Sequence, residues 1–432
     1  MKLRCIITLL LAGLLLTYTD AHAQKKKKAR PAANVQQPTA ERKPKTAEID
    51  SLINAYLFDE ASDLIETELS NQPSDTYTAI LNKRRQQADI GSSMLEATQK
   101  VVVVDSQVVS RELMLQAISM DQNCGRLLTA RQVKDIAPKA GQPVGMGFVN
   151  NFGDNVIYSQ RTKNGAKLMQ TNLYGSEWST PTPLRGIGDS LSTEGFPFMM
   201  TDGTTFYFAA EDESSLGGYD IYVTRYNAES SSFLKPENVG MPFNSPANDY
   251  LMAYDEVNNL GWFVSDRNQP ADKVCVYTFI PTEIRNTYND LQEEQLRNMA
   301  ALHSIAATQQ ADRQGVTEAL KRLQQARTGH TTSADDADLN FDIAYGKRYN
   351  SLDDFQNQKA KEKAADWMAQ RHRRTQLASL LSDNRTKYAA ARSDAERKAL
   401  APVILRQEAE LEAQDLQLKA LANEVRKLEN GK

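Results

Sequence analysis

TDGTTFYF at Thr201–Phe208, followed by GGYDIY at Gly217–Tyr222, decides how the rest of the chain is read. An Asp-Gly turn feeds a strand rich in aromatic residues, and a Gly-rich turn feeds a second one. The same succession stands on either side of it. Upstream, Val156–Tyr158 follows the turn Asn151–Asn155, a strand near Leu168 comes next, and Trp178–Leu184 closes the unit. In the central copy Phe233–Val239 closes. Downstream, Leu260–Ser265 and Lys273–Tyr277 are the paired strands. Tyr207 and Trp262, Tyr222 and Tyr277, Trp178 and Phe233, and Pro181 and Pro236 each stand 55 residues apart. A shared offset at several landmarks marks a repeat, and this period falls in the range of propeller blades.

On these residues the units resemble the WD40-like repeats called PD40, similar to those of the TolB propeller and of many envelope proteins of Gram-negative bacteria. The central copy carries the pattern in Asp202-Gly203, Tyr207-Phe208, Gly217-Gly218, Asp220-Ile221-Tyr222 and Phe233/Pro236. The third copy keeps Trp262–Ser265 with Asp266-Arg267, but has Asn258-Asn259 in place of Asp-Gly and no Gly-Gly; the first is degenerate. The resemblance implies a propeller-like β domain and envelope-associated assembly, not an activity. Three copies fall short of the four blades of a closed propeller. The expectation is that Val101–Val109 and a β hairpin near Phe341 supply a divergent fourth, the other reading being an open array whose edges a partner covers.

Around this centre the sequence predicts a multidomain α+β chain: a short N-terminal helical hairpin, a propeller-like all-β repeat domain and long C-terminal helices. Residues 1–23 read as a signal peptide, with Lys2 and Arg4 before the apolar run Ile6–Leu16 and Ala21-His22-Ala23 at the cleavage site. No cysteine sits at that site, so a lipoprotein is not expected, and the chain is predicted to be exported to the periplasm or outer membrane. Residues 24–47 form a basic linker with Glu41 as its only acid, expected to be disordered and to offer at most a peripheral contact with membrane or glycan. The chain's formal charge is −4, so everything from residue 48 onward is net acidic, which argues against nucleic acid as a partner.

Residues 48–98 read as a helical hairpin of tetratricopeptide type, with Ile49, Leu52, Ile53 and Tyr56 on one face. The repeat domain is placed at 99–282, a helix at 283–328, a loop and β hairpin at 329–350, and a coiled-coil helical region at 351–432. Ile404, Leu411, Leu418 and Val425 recur every seven residues, with Gln407 and Gln414 in the same seam. That seam predicts either folding back on the preceding helix or homo-oligomerisation.

No nucleophile elbow, Walker loop, His-Glu-x-x-His or dinucleotide fingerprint occurs, and no cofactor or metal site is expected. The three aspartates Asp335, Asp336 and Asp338 lack the ligand spacing of a calcium loop. Glu211, Asp212, Asp220 and Asp266 have the right type for a glycosidase pair, yet Asp202 and Asp220 occupy repeat positions where turn formation explains them. Cys124 and Cys275 are left open between a disulfide and two buried thiols. Aromatics at the repeat period are expected to pack the fold, so surface recognition is assigned to residues off the repeat: Tyr174, Tyr226, Tyr250 and Arg267. The functional expectation is a non-catalytic envelope scaffold that binds a protein partner through its repeats and a coiled-coil arm. The alternative is a glycan-binding or glycan-cleaving propeller.

Overall fold

Two short amphipathic helices and a longer one open the ordered chain because their apolar residues recur every three to four positions. In the computed structural model, which describes residues 44–187, 191–332, 339, 341–344, 347–391 and 393–431, these are α1 (Thr46–Asn54), α2 (Phe58–Ser70) and α3 (Asp75–Glu96). Ser74 caps α3 by accepting from the Tyr77 backbone N–H. Ile49, Ile53, Phe58, Ala61, Ile65, Leu81 and Ala88 form their shared core. Gly91 lets α3 lie directly on Phe58, since a Cβ there would stand 2.3 Å from the ring. The predicted signal, the basic segment up to residue 43 and the acids Asp335, Asp336 and Asp338 lie outside the described residues. Lys45–Lys432 make up one compact unit.

The strands then come in threes. After β1 (Val102–Ser110), β2 (Arg126–Thr129) and α4 (Ala130–Ile136), the first repeat unit is β3 (Pro143–Val149), β4 (Asn155–Thr162) and β5 (Gly165–Tyr174). The short β6 (Glu177–Trp178) and β7 (Thr182–Pro183) both pair with β5. The second unit repeats this with β8 (Thr193–Met199), β9 (Thr205–Glu211), β10 (Asp220–Asn227), and β11 (Ser232–Phe233) and β12 (Glu237–Asn238) on β10. A single parallel pairing, Ala166 with Thr193, joins the two units into an eleven-stranded sheet.

The third unit is β13 (Asp249–Asp255), β14 (Leu260–Ser265) and β15 (Lys273–Ile280), and its fourth strand is β1, antiparallel to β15 from Val102–Ile280 to Ser110–Lys273. The valine run therefore does not begin a fourth unit; it completes the third. The hairpin β16 (Phe341–Ala344) and β17 (Lys347–Tyr349) pairs only with itself, so it supplies no blade either. Its apolar residues Phe341, Ile343 and Tyr349 pack instead with Ala422 and Val425 of the last helix. The described strands form three units and close neither a barrel nor a propeller ring. What holds is the coarser class, a mixed helix and sheet chain with a large sheet domain and long C-terminal helices.

Alternation along β9 shows why the repeat aromatics stay where they are. Phe206 and Phe208 point into the core shared with the first unit, beside Ile157 and Leu168. Tyr207, on the opposite face, meets Tyr254 and the core shared with the third unit. The turn residues are committed as well. Asp220 accepts from the backbone N–H groups of Leu216 and Gly217 at 2.9 and 3.1 Å and from Asn238 at 2.8 Å. Gly217 has no room for a side chain, since a Cβ would sit 1.7 Å from the Ala247 carbonyl oxygen.

Helices finish the chain: α5 (Glu293–Ala301), α6 (Ile305–Thr308), α7 (Arg313–Thr332), α8 (Gln358–Ala390) and α9 (Asp394–Asn430). Val316, Ala319 and Leu323 of α7 enter the core of the third unit with Val104 and Trp262. Ser393 opens α9 with a capping box to Glu396, and α9 runs antiparallel to α8, tied by Arg374–Asp415 and Arg385–Glu408 at 2.8 Å each. In the seam Ile404 and Val425 are buried, and Gln407 accepts from Asn384 across the pair.

This α8–α9 hairpin rests on β1 through polar groups. Asp105 meets Arg327 of α7 at 2.7 Å and Arg385 of α8 at 3.9 Å, Glu412 of α9 pairs with Lys273 and Ser110, and Lys419 reaches Glu112 at 2.8 Å. Among the described residues, none of α8 or α9 enters the buried apolar core of the third unit. Burial works against the Asp105 charge, but Arg327 and Arg385 outweigh it and hold its pKa below the ordinary value.

Candidate functional site

The four residues assigned to recognition from sequence do not come together. Arg267 is 3 % exposed; it pairs with Asp249 (2.7 Å) and donates to the carbonyl oxygens of Pro242 and Phe243 (2.7 Å each) and to the Ser265 hydroxyl (2.9 Å). Burial opposes its charge, but Asp249 more than offsets this and keeps its pKa above the usual value. Tyr250 is buried too, with its hydroxyl donating to Asp266 at 2.6 Å. Both are structural residues, not surface ones. Sequence reasoning put them outside because they stand off the repeat period; the partners that bury them are tertiary. Tyr174 is 69 % exposed at the end of β5 and lines no cleft described here. Tyr226, 37 % exposed at the end of β10, packs edge-on against Phe233 at 5.3 Å and does line one.

That cleft, about 260 Å³, lies where the turn ends of the first and second units meet. Its floor is apolar, made of Ile157, Phe148, Met199 and Phe233, and Asn123, Asn151, Gln170 and Thr201 contribute to its lining. None of its lining residues is charged, although a quarter of the chain is Asp, Glu, Lys or Arg. Over it stands Phe152, 81 % exposed, which sequence reasoning missed. The available signal was a large aromatic inside an otherwise polar turn, hidden because the first repeat copy is degenerate.

The local chain fixes Phe152 in place. Asn150 accepts from the backbone N–H groups of Asp154 and Asn155 at 3.1 Å each and donates to the Asp154 carboxylate at 2.7 Å. Gly153 supplies the positive φ of 74° that the turn requires. The facing turn is pinned by Asp202, which accepts from Thr204 and Thr205 N–H at 2.8 Å. Burial raises the Asp202 pKa only partly; these donors outweigh it and leave the group below its ordinary value.

A second cleft, about 550 Å³, separates the second and third units. Tyr207, Tyr254 and Phe279 are among its lining residues, and Arg225, Lys235, Arg285, Glu237 and Glu283 give it mixed charge. The acids singled out as a glycosidase pair (Glu211, Asp212, Asp220, Asp266) line neither cleft. Asp212 accepts from Tyr222 at 2.9 Å, and Asp266 from Asn248 and Tyr250. Asp220 is fully buried, and burial pushes its pKa up to about 7.

Cys124 and Cys275 are both buried and free, so they do not form the disulfide left open by the sequence; burial raises the Cys275 thiol to about 11. Among the described residues no cluster of three or more His, Cys, Asp or Glu side chains is placed to hold a metal, and no helix is long and apolar enough to cross a membrane. Compared with known families, curated proteins and solved structures, the chain matches none.

Proposed function

We propose that this chain is a non-catalytic scaffold of the cell envelope, exported by its N-terminal signal, that binds a protein partner through its β repeats. The three units read as blades of an open, PD40-type array, with the α8–α9 hairpin as an accessory arm. One observation carries the binding reading: Phe152 is held out of the fold by a turn that the Asn150 side chain pins, over an uncharged cleft that Tyr226 also lines. Exposing a phenylalanine there contributes nothing to the core, and exposed apolar groups over shaped clefts are characteristic of docking sites. The repeat acids, by contrast, are taken up by turns and ladders.

The test is affinity capture of the full chain from envelope extract after chemical cross-linking. A protein recovered in stoichiometric amount supports the scaffold. If none is recovered, and a glycan array gives hits abolished by changing the lining of the first cleft, the glycan reading replaces it.

A further inference from the structure

We infer that the cleft between the first and second units takes an uncharged, extended segment of polypeptide that inserts one large apolar side chain beneath Phe152. This inference rests on the scaffold reading and names the chemistry of what is bound. Three features carry it. The first is charge: a lining without Asp, Glu, Lys or Arg has nothing to offset a ligand charge brought out of water, so a charged segment is disfavoured. The second is the polar complement. The side chains of Asn123, Asn151 and Gln170 have no hydrogen-bond partner within the chain among the described residues. An amide carries both donor and acceptor, which is what a main-chain N–H and C=O need.

The third is the floor and its size. Ile157, Phe148, Met199 and Phe233 offer no strong hydrogen-bonding group in their side chains, so a hydroxyl pressed onto them loses its bonds to water without replacement. An apolar side chain gains from the same surface, and Met199 with Met200 beside it adapts to its shape. At about 260 Å³ the cleft falls below the about 300–1,000 Å³ typical of sites that enclose a whole small ligand. It suits one anchor residue, with Phe152 and Tyr226 excluding water around it.

The test probes the full chain with an array of random linear peptides and compares it with Phe152→Ala and Asn151→Asp. Both residues are exposed, and an unchanged melting temperature confirms that the variants fold. The expected result is a set of bound peptides poor in Asp, Glu, Lys and Arg and sharing one large apolar residue, with affinity falling about tenfold or more in either variant. The inference is overturned if peptides bind both variants as well as the parent, or if the bound set is rich in charge. It is also overturned if no peptide binds, whether or not a neutral-oligosaccharide array gives hits that Phe152→Ala abolishes. Failure here is distinguishable from failure of the scaffold reading, which is decided by whether affinity capture recovers a protein partner.

Discussion

Replacing Arg267 by methionine removes a guanidinium that fastens several segments at once. Arg267 is 3 % exposed and Asp249 is 0 % exposed, and their contact is 2.7 Å. The substitution leaves Asp249 with the Ser245 backbone N–H and hydroxyl at 2.7 and 2.8 Å and the Ser265 side chain but no countercharge, and it strips the donors from the Pro242 and Phe243 carbonyls. Breaking one side of a buried ion pair costs about 3–5 kcal/mol, most of it the penalty of the stranded charge. Arg267→Met is therefore expected to lose about 3–5 kcal/mol in urea denaturation followed by circular dichroism.

Adding Asp249→Asn in the same chain removes that charge, so the double variant recovers about 2 kcal/mol relative to additivity. The Tyr56 hydroxyl, buried in the turn between α1 and α2, feels both charges. Loosening the pair is thus expected to loosen the N-terminal helices too. An Arg267→Met variant within about 1 kcal/mol of the parent, or a strictly additive double variant, refutes this reasoning.

Gly217→Ala places a Cβ 1.7 Å from the Ala247 carbonyl, and is expected to cost about 1–3 kcal/mol and lower the melting temperature in calorimetry. Because burial raises the folded Asp220 pKa from the ordinary 3.8 to about 7, its contribution to stability is fully present below pH 3.8 and lost as pH rises through 7. An Asp220→Asn variant should be less stable but lack that slope between those two values, as read from denaturation midpoints across pH. Asp105 has the opposite sign. Its folded pKa is depressed, so its hold on α7 and α8 persists above pH 3.8 and fades as pH falls through the folded value. Asp105→Asn with Glu412→Gln is expected to free the α8–α9 hairpin from β1, raising amide exchange in β1 while the helical signal is kept; unchanged exchange contradicts polar docking.

How much of this was legible in the chain follows from the range of the interactions. The landmarks at an offset of 55 became real ladders: β6 and β11, and β7 and β12, start 55 residues apart. Local turns with Asp202 and Asp220 were readable because their partners lie within a few residues. The strand that completes the third unit was not. A valine run fits any blade, and only tertiary pairing with β15 assigns Val102–Ser110 its place. Gln407 stands as a polar residue in the heptad seam, and the Asn384 amide that donates to it across the hairpin could not be read from the spacing. For the site, Tyr226 was legible as an aromatic off the repeat. Phe152 was not, because exposure is a property of the turn's geometry.

The most direct test puts a photoreactive benzoylphenylalanine at position 152 and, separately, at position 174, in cells that express the full chain. Both native side chains are exposed, Phe152 at 81 % and Tyr174 at 69 %, but only Phe152 lines the cleft. Irradiation is predicted to yield a discrete cross-linked protein from position 152 and none from position 174. A cross-link from position 174 alone, or from neither position while a partner is still captured, contradicts docking at this cleft.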